Sequence, residues 1–371
     1  MIRTDTDGLP ITEQTDKAYA SKVTVIDEHG AKVGVMHGCG HDIHMSSFIG
    51  TAEQLIAHKD AWQGTLMMVA QPAEEVGGGA KAMLKEGLFS KYAKPDHIIA
   101  LHVSASVPAG KVAMKNEYTM ASVDSVDITI KGKGGHGAYP HTTIDPVIIA
   151  ARTVLALQTI TSRELSPLEP SVITVGSIRG GSKHNVISDE VKLQLTLRSY
   201  NPDIRNAQIA AIKRITAGIA QSAGLEKALY PKVQVHEDES IPSTYNNPAQ
   251  TNLVRQSIAS AIGDDNVLET LPVMAGEDFG LYGRTDENIP ITLFWLGGVN
   301  QTKYANAIKT GKTLPSLHSL HSLHSLHSLH SLHSLHSLHS LHSSKFAPDY
   351  KVALPTGIKA MSNAAVALFN Q

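Results

Sequence analysis

The sequence predicts an α/β protein whose mostly parallel sheet has helices on both faces and whose chain carries an inserted, ferredoxin-like α+β domain. Three observations predict it. Residues 66–70, 98–101 and 291–296 are unbroken apolar runs of strand length, the pattern of strands buried on both faces. Helical periodicity lies between and after those runs, which places helices over a parallel sheet. In the middle of the chain the period changes, and apolar residues alternate strictly with polar ones, as in strands with one wet face.

Each element has a reason in the residues. Met45, Phe48, Ile49, Ala52, Leu55 and Ile56 fall on one helical face, with Asp42 placed to cap the helix, and 352–369 is a second helix. Val126, Ile128 and Ile130, then Val191, Leu193, Leu195 and Leu197, form the alternating strands. Across 122–236 the order is strand, helix (144–160), strand (172–178), strand (186–197), helix and strand (232–236), which is the β-α-β-β-α-β pattern of ferredoxin-like domains. The second of those helices opens on Asn201-Pro202, a cap followed by proline at the first helical position, and carries Ile212, Ile215 and Ile219. The expected organisation is 1–117 and 237–371 for the larger domain and 118–236 for the insertion.

Composition excludes several classes of function. The 371 residues are 42% hydrophobic, enough for a sizeable core. A net charge of -2, few aromatics and no basic block leave no electrostatic footprint for nucleic acid or an anionic membrane. The longest apolar candidate, 146–157, is short and contains Arg152, so no membrane span is expected. The single cysteine excludes an internal disulfide. Small molecules or peptides are the expected partners.

Two stretches are unusual. The chain opens at Met1-Ile2-Arg3-Thr4-Asp5, already inside a strand, with no signal peptide. The compartment is left open by this: a cytoplasmic location is weakly favoured, and a signal peptide lost from an incomplete N-terminus is the alternative. Residues 316–342 are nine copies of Ser-Leu-His, a low-complexity tract whose period of three never assembles one apolar helix face.

The chemistry concentrates in His37-Gly38-Cys39-Gly40-His41-Asp42 and Gln71-Pro72-Ala73-Glu74-Glu75. Thiolate, imidazole and carboxylate can share one borderline metal ion, and a neighbouring carboxylate can handle a proton. Glu74 and Glu75 follow an apolar strand, where ligands bind in open α/β sheets. His102 closes another strand, and His342 leads into an ordinary segment at 343–349. Cys39, His41, Glu75 and His102 thus map to one edge of the predicted sheet. The alternative chemistry is a thiol hydrolase with Cys39 as nucleophile and His41 or His102 as base.

Together with Arg3-Thr4-Asp5-Thr6-Asp7-Gly8-Leu9-Pro10, Gly134-Gly135-His136-Gly137-Ala138-Tyr139-Pro140-His141 and Gly276-Glu277-Asp278-Phe279, these residues resemble the amidohydrolase branch of the di-metal aminoacylase and carboxypeptidase family. That branch holds hippurate hydrolases, N-acyl-amino-acid amidohydrolases and auxin-conjugate hydrolases. The resemblance implies a metal-dependent hydrolase of N-acyl amino acids or small peptide conjugates, dimeric through its lid domain. It implies Cys39, His41, Glu75, His102 and His342 as ligands to two Mn²⁺ or Zn²⁺ ions, and Glu74 as general base. His136 holds the place of a lid histidine that stabilises the oxyanion, often from the partner subunit. Asn185 and Arg198 hold places that bind the substrate carboxylate, and Asp5 and Asp7 would orient ligands. The pattern departs in two places: relatives carry several dozen residues before the Arg-x-Asp strand, and a single Leu-His-Ser where this chain has nine. His318 is therefore the rival of His342. A truncated, catalytically impaired paralogue or a His-rich metal-binding protein is the non-enzyme alternative.

Overall fold

The computed structural model describes residues 1–27, 30–310 and 338–371. Two compact units emerge, one of 1–119 with 245–371 and one of 120–244. Along the chain, the first unit opens with β1 (Ile2–Asp5), α1 (His41–Ala57), β2 (Met68–Gln71), β3 (Ile98–Pro108) and β4 (Val112–Met114). The second unit contains β5 (Asp124–Lys131), β6 (Gly135–His136), α2 (Pro146–Thr159), β7 (Ser171–Gly180), β8 (Val186–Ile187), β9 (Glu190–Ser199), α3 (Pro202–Ser222) and β10 (Lys232–Val235). The chain then returns to the first unit with α4 (Pro248–Ile262), β11 (Val267–Glu269), β12 (Ile291–Val299) and α5 (Tyr350–Phe369).

The first unit is built on a six-stranded sheet of order β11-β4-β12-β3-β1-β2. Its pairings are parallel except where β12 meets β4. This is the largely parallel α/β sheet expected. β12 is buried along its whole length and β3 along nearly all of it, so their continuous apolar runs are explained by central positions. Residues 66–70 behave differently. The strand there is β2, at the sheet edge, and only Val69 and Gln71 of it are buried. β3 also runs on past His102 to Pro108, so that histidine lies within the strand rather than at its end.

Two expectations about helices are corrected. Gly40, not Asp42, caps α1: its φ of 83° turns the chain in the left-handed region, while Asp42 sits in the first turn. The buried stripe of α1 is His41, His44, Ser47, Thr51 and Leu55, whereas Ile49 and Ile56 are exposed. His41 and His44 turn toward Asp5 at the end of β1, while Ser47 packs against Gly357 of α5. The second correction concerns α5, whose 20 residues of mean hydropathy 1.3 are long and apolar enough to cross a bilayer. Ala353, Gly357, Ala360, Met361, Ala364 and Ala365 are buried along it, and it packs on α1 and α4 as a core helix does.

The second unit has an antiparallel sheet of order β7-β9-β5-β10. Val126, Ile128, Ile130, Leu193, Leu195 and Leu197 join Ile149, Leu157 and Ile212 in its core. Asn201 caps α3 by accepting the Asp203 N–H at 2.9 Å. The strand expected over 186–197 is two strands, because β8 turns away to pair with β6 before β9 begins. The described part of the Ser-Leu-His tract is 338–342; the rest, including His318, lies outside the described residues.

Glycine substitutions test the packing with opposite signs. A Cβ on Gly297 in β12 would lie 2.0 Å from the Pro108 carbonyl oxygen, so Gly297→Ala is expected to cost about 1–3 kcal/mol in urea unfolding. Gly218 in α3 has nothing within 4 Å, and Gly218→Ala is expected to stabilise by about 0.5–1 kcal/mol.

Candidate metal centre

The first unit brings together residues from five places in the chain. Cys39 occupies the turn before α1, His41 is that helix's first residue, and His102 points from β3. Any side chain on Gly40 would meet Val103 Cγ1 at 2.3 Å, so glycine lets this turn press against β3. Glu74 and Glu75 follow β2 in a turn opened by Ala73, whose φ is 57°. His342 is tied down by its N–H, which donates to the Gly38 carbonyl at 2.8 Å.

Their ligand atoms converge. Cys39, His41 and His102 lie within 4.8 Å of one another, as do Cys39, Glu75 and His342, and His41, Glu74 and Glu75. The Cys39 Sγ is 3.5 Å from His102 Nε2, and His342 Nε2 is 3.5 Å from Glu75 Oε2. Overlapping donor sets sharing Cys39 and Glu75 suit a pair of ions better than one. Both α1 and β3 present imidazoles in the form a cation needs. His41 Nδ1 donates to the Asp7 carbonyl at 3.0 Å and lies 3.3 Å from Asp7 Oδ1. Its buried Nε2 has no hydrogen-bond partner and faces Asp5, Glu74 and Glu75 at 3.8–3.9 Å. His102 Nδ1 donates to the Val103 carbonyl at 2.8 Å, which leaves the Nε2 lone pair toward sulfur. A backbone carbonyl on one ring nitrogen, with the other nitrogen turned toward the remaining donors, is the arrangement of a metal-binding histidine. The donor set fits divalent ions.

Electrostatics agree. Burial, then Glu75 and Glu74, push the Cys39 thiol well above its ordinary range. Burial, then the Glu277 and Asp5 charges, likewise raise Glu74, and burial with Asp7 and Asp5 lifts Glu75 to about 7. For His41, burial opposes the charged form, but Asp5, Asp7 and Glu75 outweigh it and raise the ring to about 9. Too many anionic groups share a dry space, and each holds its proton more tightly for want of positive charge.

Sequence reasoning named Asp5 and Asp7 as orienting residues but missed the network around Asp5. Arg3 is buried and donates to Gln71 at 3.0 Å, Asp5 at 2.7 Å, and Glu277 and Asp278 at 3.0 Å each. Asp278 also accepts the Ala80 N–H at 2.9 Å and the Gln71 amide at 2.8 Å, which anchors both ends of the Glu74 turn. His44 donates to Asp5 at 2.6 Å. The Gly276-Glu277-Asp278-Phe279 motif was visible but carried no spacing that announced a partner 274 residues away.

The remaining candidates belong to the second unit. His136 in β6 is exposed, pairs with Val186 of β8, and lies beside Asn185, whose carbonyl accepts the Gly137 N–H at 2.9 Å. Arg198 lies in β9, half-buried, with a buried Nη1 that has no hydrogen-bond partner, and burial lowers its pKa from the ordinary value. The structure thus brings His136 and Asn185 together on one ribbon and places Arg198 on the sheet.

Residues 1–312 match the family model described as peptidase family M20/M25/M40. The chain belongs to that family. Among its relatives, a thermostable carboxypeptidase of Saccharolobus solfataricus is 36% identical over 81% of this chain and 72% of its own. An N-acetyldiaminopimelate deacetylase of Priestia megaterium is 36% identical over 80% and 73%. A solved dinuclear metal-binding M20 peptidase of Bacillus subtilis superposes with a TM-score of 0.74 at 27% identity, covering 100% of this chain and 81% of that one. This M20-family chain is a metal-dependent amidohydrolase, with donors of the kind a dinuclear centre uses.

Asp7 links two of the donors, because its Oδ2 also accepts the Glu75 N–H at 2.9 Å. Asp7→Ala is expected to weaken Zn²⁺ binding by roughly 10- to 100-fold in a competition titration against a chromogenic chelator.

Proposed function

We propose that the protein hydrolyses the amide of N-acyl amino acids or small peptide conjugates, with Cys39, His41, Glu75, His102 and His342 holding two Mn²⁺ or Zn²⁺ ions. The observation that carries this reading is the overlap of the donor sets around Cys39 and Glu75, with Glu74 beside them. Bound ions would supply Lewis acidity, polarising the scissile carbonyl and acidifying a water.

Glu74 is the general base. It is 7% exposed, and its oxygen lies 3.8 Å from His41 Nε2 on the side where the donors converge. Burial keeps its carboxylate basic enough to take the proton of the attacking water and pass it to the leaving nitrogen as the C–N bond breaks. The products are a carboxylate and an amine. His136 of the partner subunit donates to the oxyanion in a homodimer formed through the second unit, which serves as a ferredoxin-like lid and dimerisation domain. Its exposed position supports that role, since Nδ1 accepts the Ala138 N–H at 3.0 Å and the proton then sits on Nε2, where it can be donated to a substrate. Asn185 and Arg198 bind the substrate's free carboxylate; the unpartnered Arg198 Nη1 supports this, because a guanidinium fork pairs with a carboxylate at two points.

The test is hydrolysis of N-acetyl, N-benzoyl and indole-acetyl amino acids after chelation and metal add-back. Glu74→Ala is expected to lower kcat by roughly 10²- to 10⁴-fold, the usual contribution of general base catalysis, and an unchanged rate removes the base. Activity that survives the chelator would instead favour Cys39 as nucleophile.

Arg198→Lys is expected to raise KM for N-acyl amino acids by roughly tenfold with kcat nearly kept. A carboxamide-blocked substrate should be insensitive to that change.

A further inference from the structure

His44 lies three residues from His41 on the buried face of α1, and its ring packs 5.2 Å from that of His41 and 4.6 Å from that of His102, centroid to centroid. With Asp5 and His41 it forms a further trio whose ligand atoms lie within 4.8 Å of one another, which on distance alone is one more donor set. Hydrogen bonding excludes that use. The Val103 N–H donates to His44 Nε2 at 2.8 Å, so the ring's one lone pair is occupied. The proton must then reside on Nδ1, which donates to Asp5 Oδ1 at 2.6 Å. Asp5 Oδ2 in turn accepts from Arg3 Nη1 at 2.7 Å. A ring with both nitrogens engaged in this way has nothing to offer a cation.

The site of the Val103 bond explains why a histidine is needed there. β1 pairs with β3 only as far as Ala100. The Ile99 N–H donates to the Met1 carbonyl at 3.0 Å, and N–H groups two residues apart along a strand point the same way. The Val103 N–H therefore points toward the line of β1 where β1 has already left the sheet. It is buried, and without His44 it would have no acceptor. The Val103 carbonyl, on the same side, accepts from His102 Nδ1 at 2.8 Å. One peptide position thus bonds two imidazoles, one through its N–H and one through its C=O.

We propose that His44 is a positioning residue of the metal centre: it takes the place of the missing strand beside β3 and fixes His102, His41 and Asp5 relative to one another without binding metal itself. This rests on the assignment of His41 and His102 as ligands. Its test uses the full chain and Zn²⁺. In ¹⁵N–¹H long-range correlation spectra, His44 is expected to show a protonated Nδ1 and a bare Nε2 before and after zinc is added, while the His41 and His102 Nε2 resonances move. A zinc-induced coordination shift at His44 Nε2 would overturn the proposal.

Two variants supply the second readout, with folding checked by circular dichroism. His44→Phe keeps the ring's bulk and should weaken zinc binding roughly 10- to 100-fold, lowering kcat with KM little changed. His44→Gln can still accept the Val103 N–H and should recover part of that loss. Wild-type zinc affinity in His44→Phe overturns the positioning role alone. Failure of the wild-type protein to bind zinc or manganese would remove the centre, and this proposal with it.

Discussion

Uncompensated negative charge in a dry space is the constraint around which the first unit is organised. Asp5, Glu74, Glu277 and Asp278 are each less than a tenth exposed, and they crowd together with Cys39 and the half-buried Glu75. Among the described residues, Arg3 is the one guanidinium that bonds among them. Burial opposes its charge, yet Glu277, Asp5 and Asp278 outweigh that and raise its pKa above the ordinary value. Burial opposes the charge of Asp5, but His44, then Arg3 and His41, outweigh it and hold Asp5 well below its ordinary range, whereas Glu277 rises to about 8 and Glu74 and Cys39 rise as well. Such a cluster is costly to bury unless more positive charge arrives. Divalent ions supply it, so the metal preference and the folding of this unit draw on the same electrostatic need.

Rigid elements convert that need into geometry. β3 and β12 are buried strands that cannot slide, and α1 is pressed against β3 through Gly40. Loops carry the acidic donors, but each loop is tethered at a specific backbone atom. Asp7 takes the Glu75 N–H, Asp278 takes the Ala80 N–H, and Gly38 takes the His342 N–H. The histidines are then sorted by what their second nitrogen meets. His41 and His102 meet carbonyls and keep an outward lone pair, whereas His44 meets an N–H and loses it. Three neighbouring imidazoles thereby acquire two different roles from backbone polarity alone.

How much of this could be read in the residues depends on range. The convergence of Cys39, His41, Glu75 and His102 was legible because all four lie in or beside strands or helix starts whose local patterns are strong. His342 comes beside Cys39 and Glu75, while its rival His318 lies outside the described residues. The buried face of α1 was not legible, because hydrophobic periodicity assumes apolar packing and this helix buries His44, Ser47 and Thr51. The edge position of β2 was also hidden, since an apolar run does not reveal how many neighbours a strand has. Arg3 escaped notice for a different reason. Its partners Gln71, Glu277 and Asp278 come from distant segments, and a buried arginine in a four-residue strand has no periodic signature. Sequence order likewise could not foresee that β8 leaves β9 to pair with β6, which sets Asn185 beside His136.

The same electrostatics weigh against Cys39 as a nucleophile, the one rival chemistry that shares these residues. A reactive thiol is poised by neighbouring positive charge that lowers its pKa. Here the thiol is fully buried, and after burial itself the next causes raising its pKa are Glu75 and Glu74. His102 Nε2 lies 3.5 Å away and has its lone pair toward the sulfur, so a base is at hand. Transfer of the proton would nonetheless leave a thiolate beside the Glu75 and Glu74 carboxylates, with the new His102 Nε2–H at 3.5 Å set against both of them, an arrangement that favours return of the proton. What such a sulfur does well is bind a cation, because a metal replaces the proton and neutralises the carboxylates in the same event. The feature that disables Cys39 as an attacking group therefore suits it to ligation.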